Sequence, residues 1–568
     1  MGRRLRRRSG LSRRDFLRQS SFLAAGGAFL AGCEADTWPG GQPGPGPEPG
    51  SAFQHGVASG DPLSDRVILW TRITQEGSGA VPVRARVYAD PQRAQLVGEY
   101  SGSAAASRDF TVKIDALGLA PATTYYYDFE ALGQRSVLGR TRTLPVGSVE
   151  HLRIGVASCS SLAHGYFHAY RFLAQRADLD LVLHLGDYIY EYGNDEYGSV
   201  RQYEPAHEII SLSDYRTRHA QYKRDPDLME LHRQHPVVAI WDDHETTDNS
   251  RRDSANNHNE GEGDWQQRKG WGQQAYDEWM PIRYPEPGNV NRIWRRFAMG
   301  DLVDLTLLDT RLYDRDDEID CGNPSPIPLC PDATLADPER KLIGPEQMTF
   351  LLDALSQPTG QWKLIGQQVM MGQLKFTSLP ANDETGLQDV FFNADQWDGY
   401  PGERKQILDF IEQNAVDDVV VLTGDIHTSW AMDLTQDPDN PLFYNPVTGD
   451  GSRAVEFVCT SVTSPGLEEL LPVVGPLVET VPELMNVIRA SNLHMRYAEG
   501  TRRGYQVLDI TPEAITGEWW YVSGVTEAEG GAEAFATAYR VQSGSNTVPQ
   551  LAETEPTPAK ENPPPLAP

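Results

Sequence analysis

Four short stretches of this chain hold metal-binding residue types, and each follows an apolar run. They are Cys159, Asp187 with Tyr190, Asp242-Asp243-His244-Glu245, and Gly424-Asp425-Ile426-His427. Leu179 to Leu185 reads as a buried strand that stops at Gly186. Asp187 can then offer two carboxylate oxygens to two ions, and a Tyr190 phenolate is a hard anionic donor that suits a ferric centre. One Gly-Asp at a strand end is usually a cap, and a strand-terminal histidine is common. Four such ends in order are not common, and strand ends are where α/β sheets collect ligands. Cys159 ends the run Ile154 to Ser158 without an obvious disulfide mate, so its sulfur reads as a thiolate ligand.

The elements that must present these groups follow from pattern. The 568 residues allow about two to four domains. A hydrophobic fraction of 39% and a charged fraction of 23% are those of a soluble globular protein. Residues 51–147 read as an all-β domain: Arg66 to Arg72, Val81 to Ala89, Asp109 to Ile114 and Thr123 to Leu132 are short runs separated by turn residues. Thr124 to Phe129 followed by Gly139 to Thr143 is similar to the closing strands of a fibronectin- or Ig-like sandwich. From 148 to 545 strands alternate with helices, among them Leu152 to Ala157, Pro236 to Trp241, Asp264 to Met280, Leu302 to Leu308 and Val419 to Thr423. That is a layered α/β domain. Residues 33–50 form a Pro/Gly linker, and 546–568, rich in proline, read as a disordered tail.

The net charge is −30, and the first 32 residues carry eight Arg against one Asp, so the remainder stands at −37. Such acidity excludes binding of nucleic acid as a partner, which needs a basic surface. An anionic substrate must therefore be drawn in by local cations. Ser12-Arg13-Arg14-Asp15-Phe16-Leu17 resembles a twin-arginine export motif within a signal spanning 1–32, and Phe22 to Gly32 is too short for a membrane span. Leu30-Ala31-Gly32-Cys33 resembles a lipoprotein box, with Cys33 acylated and the body held at a membrane. The expected address is outside the cytoplasm: periplasmic, secreted or lipid-anchored at the envelope, after passage through the twin-arginine machinery. Cys321 and Cys330 flank a turn-rich loop and read as a local disulfide; Cys459 reads as buried and inert.

Taken together, Ala157-Ser158-Cys159, Leu185-Gly186-Asp187-Tyr188-Ile189-Tyr190, Trp241 to Glu245 with Asp248-Asn249, Asp309-Thr310-Arg311, Gly366-Gln367-Gln368 and Thr423 to His427 resemble the alkaline phosphatase D (PhoD-like) family of the calcineurin-like metallophosphoesterases. The resemblance implies a four-layer α/β fold, a β-sandwich flanked by helices, behind a small all-β domain. It implies that Cys159, Asp187, Tyr190 and His427 enclose Fe³⁺, that Asp187 bridges to a second position, and that Asp243 and Asp425 stand there where relatives in the superfamily carry neutral donors. Carboxylates favour a harder ion, in keeping with the one or two Ca²⁺ of the family.

Phosphoric mono- and diesters resist attack because their anionic oxygens repel nucleophiles. Two cations neutralise those oxygens and supply a hydroxide that displaces the leaving group in line, so no protein nucleophile is required. His244 would assist the leaving oxygen. Arg311 could hold phosphate oxygens or pair with a neighbouring carboxylate. A monomeric, exported alkaline phosphatase and phosphodiesterase is the expectation. The alternatives are a phospholipase D acting on lipid headgroups and a non-catalytic surface lipoprotein on the same scaffold.

Overall fold

The computed structural model describes residues 50–568 apart from 320, 322–329, 381–386, 392 and 471–479. The expected signal, nearly all of the linker, and Cys33 lie outside the described residues.

Two sheets form the body. One has nine strands; at its centre Leu152–Ala157, Leu181–His184 and Pro236–Ala239 run parallel. All three are buried along their whole length, as strands covered on both faces must be. The other sheet has seven strands, with Val303–Leu307, Trp362–Gly366, Val419–Thr423 and Ala454–Val458 parallel at its centre. Ile154, Leu183, Leu305, Leu364, Leu422, Phe457 and Trp519 belong to one continuous apolar core, so the sheets pack face to face. Helices such as His168–Gln175, Pro226–Gln234, Gly344–Ser356 and Pro401–Gln413 complete a four-layer α/β architecture.

The expected boundary near residue 147 is not a clean one. Val57–Gly60 pairs in parallel with Pro236–Ala239, and Arg66–Arg72 and Thr111–Leu117 follow it as the outer strands of the nine-stranded sheet. The remaining N-terminal strands form a separate five-stranded sheet over their own apolar cluster. The β-domain is thus stitched into the body by shared backbone hydrogen bonds.

The Pro-rich tail also departs from its expectation as a disordered segment. Arg153 Nη1 donates to Pro558 O at 2.9 Å, and Thr557 N donates to Glu518 Oε1 at 2.9 Å. Ala567 N and O exchange bonds of 2.8 and 2.9 Å with the Gln234 side chain, and Ala567 is buried against Tyr88, Tyr126 and Leu138. Composition predicted a chain unable to build its own core; a groove made by the rest of the protein supplies the core instead. The Cys321–Cys330 disulfide is present, and Cys459 is buried with its thiol donating to Val156 O.

Among the described residues, no helix is long and apolar enough to cross a membrane.

Candidate metal centre

The parallel strands of both sheets end at one place. Cys159 lies two residues beyond its strand, Asp187 three, Asp242 three and Asp425 two. Turns this abrupt force the backbone into the left-handed region: Cys159, Asp187, Asp425 and His427 have φ of 60°, 56°, 60° and 59°. Non-glycine residues adopt that region at a cost of roughly 1–3 kcal/mol each, so the surroundings must hold them there. Cys159 N donates to Gly186 O (3.1 Å) and Ser160 N to Asp187 O (2.9 Å), tying two ligand loops together. One buried carboxylate, Glu245, accepts from Asp187 N (3.1 Å), Tyr188 N (2.7 Å) and Asp242 N (2.9 Å), tying in a third. Gly186 is where the loops touch: with φ 102°, a Cβ placed there would lie 2.4 Å from Asp242 Cβ.

Donor atoms converge in three overlapping groups, each with its atoms within 4.8 Å of one another. Cys159, Asp187 and His427 form one; Asp187, Asp243 and His244 the next; Asp242, Asp243 and Asp425 the third. Tyr190 joins the first, its hydroxyl donating to Asp187 Oδ2 (2.8 Å) and lying 3.1 Å from His427 Nε2. Asp187 therefore belongs to two groups, as a bridging carboxylate must. His427 Nδ1 is fixed by Pro465 O at 2.8 Å, which leaves Nε2 for the site.

The fit to a cation can be read from the polar atoms. Asp187 Oδ1 and Asp242 Oδ2 are buried and have no hydrogen-bond partner among the described residues. Burial pushes the Cys159 thiol, the Asp187 carboxyl and the Tyr190 phenol well above their ordinary ranges, and neighbouring carboxylates add to the effect. Buried anionic donors crowded this way are costly without a positive charge among them, and a metal ion reverses that balance. Thiolate, phenolate, imidazole and carboxylate on one side, and carboxylates alone on the other, fit a softer and a harder cation position respectively.

Two residues had been given no role from sequence. The motif marks Asp243 and not Asp242 as the donor, yet the Asp242 carboxylate completes the third group. Glu191 accepts from His244 Nδ1 at 2.7 Å, Thr247 Oγ1 at 3.1 Å, Asp248 N at 2.9 Å and Asn257 Nδ2 at 2.9 Å. The only sequence signal for it was a carboxylate next to Tyr190. His244 also stacks on Tyr190, with ring centroids 4.2 Å apart. Burial alone would lower the His244 pKa, but the charges of Asp243, Glu191 and Asp187 raise it well above its ordinary value.

Arg311 is fully buried, its guanidinium donating to Asp242 (2.5 Å), Asp395 (2.8 Å) and Asp425 (2.6 Å). Of the two roles open from sequence, the ion pair is the one seen. Gln368 is likewise engaged, accepting from Thr310 and donating to Trp241 O and Leu308 O, so it braces three strand ends. Asn249 N donates to Asp243 Oδ2 at 2.5 Å and so buttresses that carboxylate.

A family model described as PhoD-like phosphatase matches residues 154–519, from the Cys159 strand to beyond the last ligand. The chain belongs to the PhoD-like phosphatase family. The family's N-terminal domain model matches residues 42–145. Alkaline phosphatase D of Bacillus subtilis (strain 168) is 38% identical over 429 residues, 73% of this chain and 70% of that protein. A solved structure described as that of PhoD superposes with a TM-score of 0.77 at 33% identity, covering 90% of this chain and 94% of the other. Membership makes the chain a phosphoesterase of the hydrolase class.

Proposed function

We propose that this PhoD-like phosphatase is an exported enzyme hydrolysing both phosphomonoesters and phosphodiesters, with Fe³⁺ held by Cys159, Asp187, Tyr190 and His427. The carboxylates of Asp187, Asp243 and Asp425, with Asp242 completing the set, would hold calcium beside it. The observation that carries this reading is the bridging position of Asp187, which shares a donor group with each side and keeps one buried oxygen unpartnered. Bound cations at such a site neutralise phosphoryl oxygens and acidify water.

The chain's own residues do the rest. Tyr190 and Glu245 orient Asp187, and Pro465 O orients His427. Glu191 occupies His244 Nδ1, so Nε2 is the ring nitrogen left to protonate the departing oxygen. The Glu191 carboxylate on Nδ1 favours the charged form of the ring. Arg311 spaces Asp242, Asp395 and Asp425 and offsets their mutual repulsion. Export rests on Arg13-Arg14 and anchoring on Cys33, and mass analysis of the mature N-terminus tests both.

The test of the enzyme is direct. Metal-replete protein should release nitrophenol from nitrophenyl phosphate and from the bis-ester, and elemental analysis should find iron with calcium. Asp187→Asn should remove most of the metal and activity; retention of both would sink the bridging role. Release from neither ester would overturn the phosphoesterase reading, and release from the monoester alone its diester half.

A further inference from the structure

The body of the chain is strongly acidic, and the arginines around the metal centre are committed. Arg311 is held by three carboxylates, Arg315 by Asp395, Arg251 by Asp317 and Arg503 by Glu468. Arg502 differs. It is exposed, and among the described residues its guanidinium forms no ion pair. The side chain lies over the buried Tyr521 ring, with Cζ 4.4 Å from its centroid. A guanidinium stacked on an aromatic face keeps its N–H donors pointing outward in a set plane.

Strand register places Arg502 on the rim of the centre. The strand Ser429–Leu434 begins two residues after His427, and Ser429 pairs across the ladder with Glu499, where the strand Met495–Glu499 ends. Paired strands lie about 4.8 Å apart, so the turn after Glu499 emerges beside His427. Thr460 Oγ1 bridges the two, donating to Arg502 O at 2.6 Å and lying 3.5 Å from His427 O. Leu467 N donates to Gly500 O at 2.8 Å, which binds the same turn to the loop carrying Pro465. Below the ring, the Tyr521 hydroxyl donates to Ser429 Oγ at 2.8 Å. Glu499 is the acid of this turn, but its Oε1 is taken by Thr501 N, Thr501 Oγ1 and Arg502 N at 2.8, 2.8 and 3.3 Å. The carboxylate thus stiffens the turn.

We infer that Arg502 is a specificity-determining residue, binding a second phosphate group of the substrate beside the one that reacts. This inference rests on the phosphoesterase reading. An exposed cation held over an aromatic ring in an acidic molecule also answers how an anionic substrate is drawn to the site: the attraction is local, and it selects substrates with charge beyond the scissile phosphate.

The test compares two chromogenic esters, thymidine 5′-(nitrophenyl phosphate) and the same ester bearing a 3′-phosphate, on metal-replete wild type, Arg502→Ala and Arg502→Lys. Wild type should prefer the 3′-phosphorylated ester in kcat/KM. In Arg502→Ala that preference should fall roughly ten-fold or more, carried mainly by KM, as expected for loss of charge-assisted hydrogen bonds. Arg502→Lys should recover part of it, and the wild-type preference should weaken with added salt. An Arg502→Ala preference equal to wild type, or a wild type without preference, overturns the inference while leaving the phosphoesterase reading in place. A wild type that cleaves neither ester overturns the inference together with the diester half of the phosphoesterase reading; one that also leaves nitrophenyl phosphate intact overturns that reading whole.

Discussion

At the scale of single residues, the centre depends as much on Glu191 as on the donors themselves. Glu191 is fully buried and accepts four hydrogen bonds, of which the one from His244 Nδ1 bears on chemistry. Burial would raise its pKa, but the His244 charge and the bonds from Asn257 and Asp248 N hold it below its ordinary value. It is a positioning residue: it turns Nε2 of His244 toward the site and stabilises the charged ring. In Glu191→Gln an acceptor remains but the charge does not. We expect kcat to fall roughly 10- to 100-fold with KM little changed. The loss should be larger for an alkyl phosphate, whose leaving oxygen needs a proton, than for nitrophenyl phosphate, whose leaving group does not. Equal losses on the two esters would place Glu191 in a purely structural role.

The element that organises the site is the strand Leu181–His184 with the turn that follows it. Its burial on both faces leaves the chain one exit, and Gly186 makes that exit possible by passing within contact distance of Asp242. Gly186→Ala would bring a Cβ to 2.6 Å from Asp242 N, so two ligand loops must move apart. The expected result is loss of most metal by elemental analysis, with a lower melting temperature. Gly261 is the control, because it has the same φ of 102° but nothing within 4 Å of an added Cβ. Gly261→Ala should cost only about 1 kcal/mol of backbone strain and keep its metal. If both variants bind metal like wild type, close approach at Gly186 is not what sets the ligand geometry.

Across the whole molecule, the N-terminal strands and the C-terminal tail fasten one end of the body from two sides. The tail satisfies Arg153 and Gln234, both buried, and seats Ala567 beside Tyr126 of the β-domain. Removing residues 556–568 deletes these bonds, each worth about 1 kcal/mol net, and uncovers the apolar contact. We expect a stability loss of several kcal/mol by denaturant titration and faster proteolysis within residues 120–145. Unchanged stability would mean that the tail rests on the surface without contributing. The tail binds at the starts of the strands Leu152–Ala157 and Pro236–Ala239 and the metal centre lies past their opposite ends, so metal content should be retained.

The residue types decided much in advance. Apolar runs that end in Cys, Gly-Asp, Asp-Asp-His-Glu and Gly-Asp-Ile-His carry local information: burial sets the strand, the break sets its end, and the donor follows. That was enough to single out Cys159, Asp187, Tyr190, Asp243, His244, Asp425 and His427 as candidates, and to expect a layered α/β domain. What the sequence could not carry is which groups meet across the sheets. Asp242 and Asp243 are adjacent and chemically alike, and only the packing of Arg311 and Asp425 against them shows that both enter the site. Arg311 could have faced substrate or carboxylates until three acids were seen around it. Proline-rich composition predicted a disordered tail, yet a groove assembled from residues hundreds of positions away orders it. Local chemistry is written in neighbouring residues; pairings that depend on long-range packing exist only once the chain has folded.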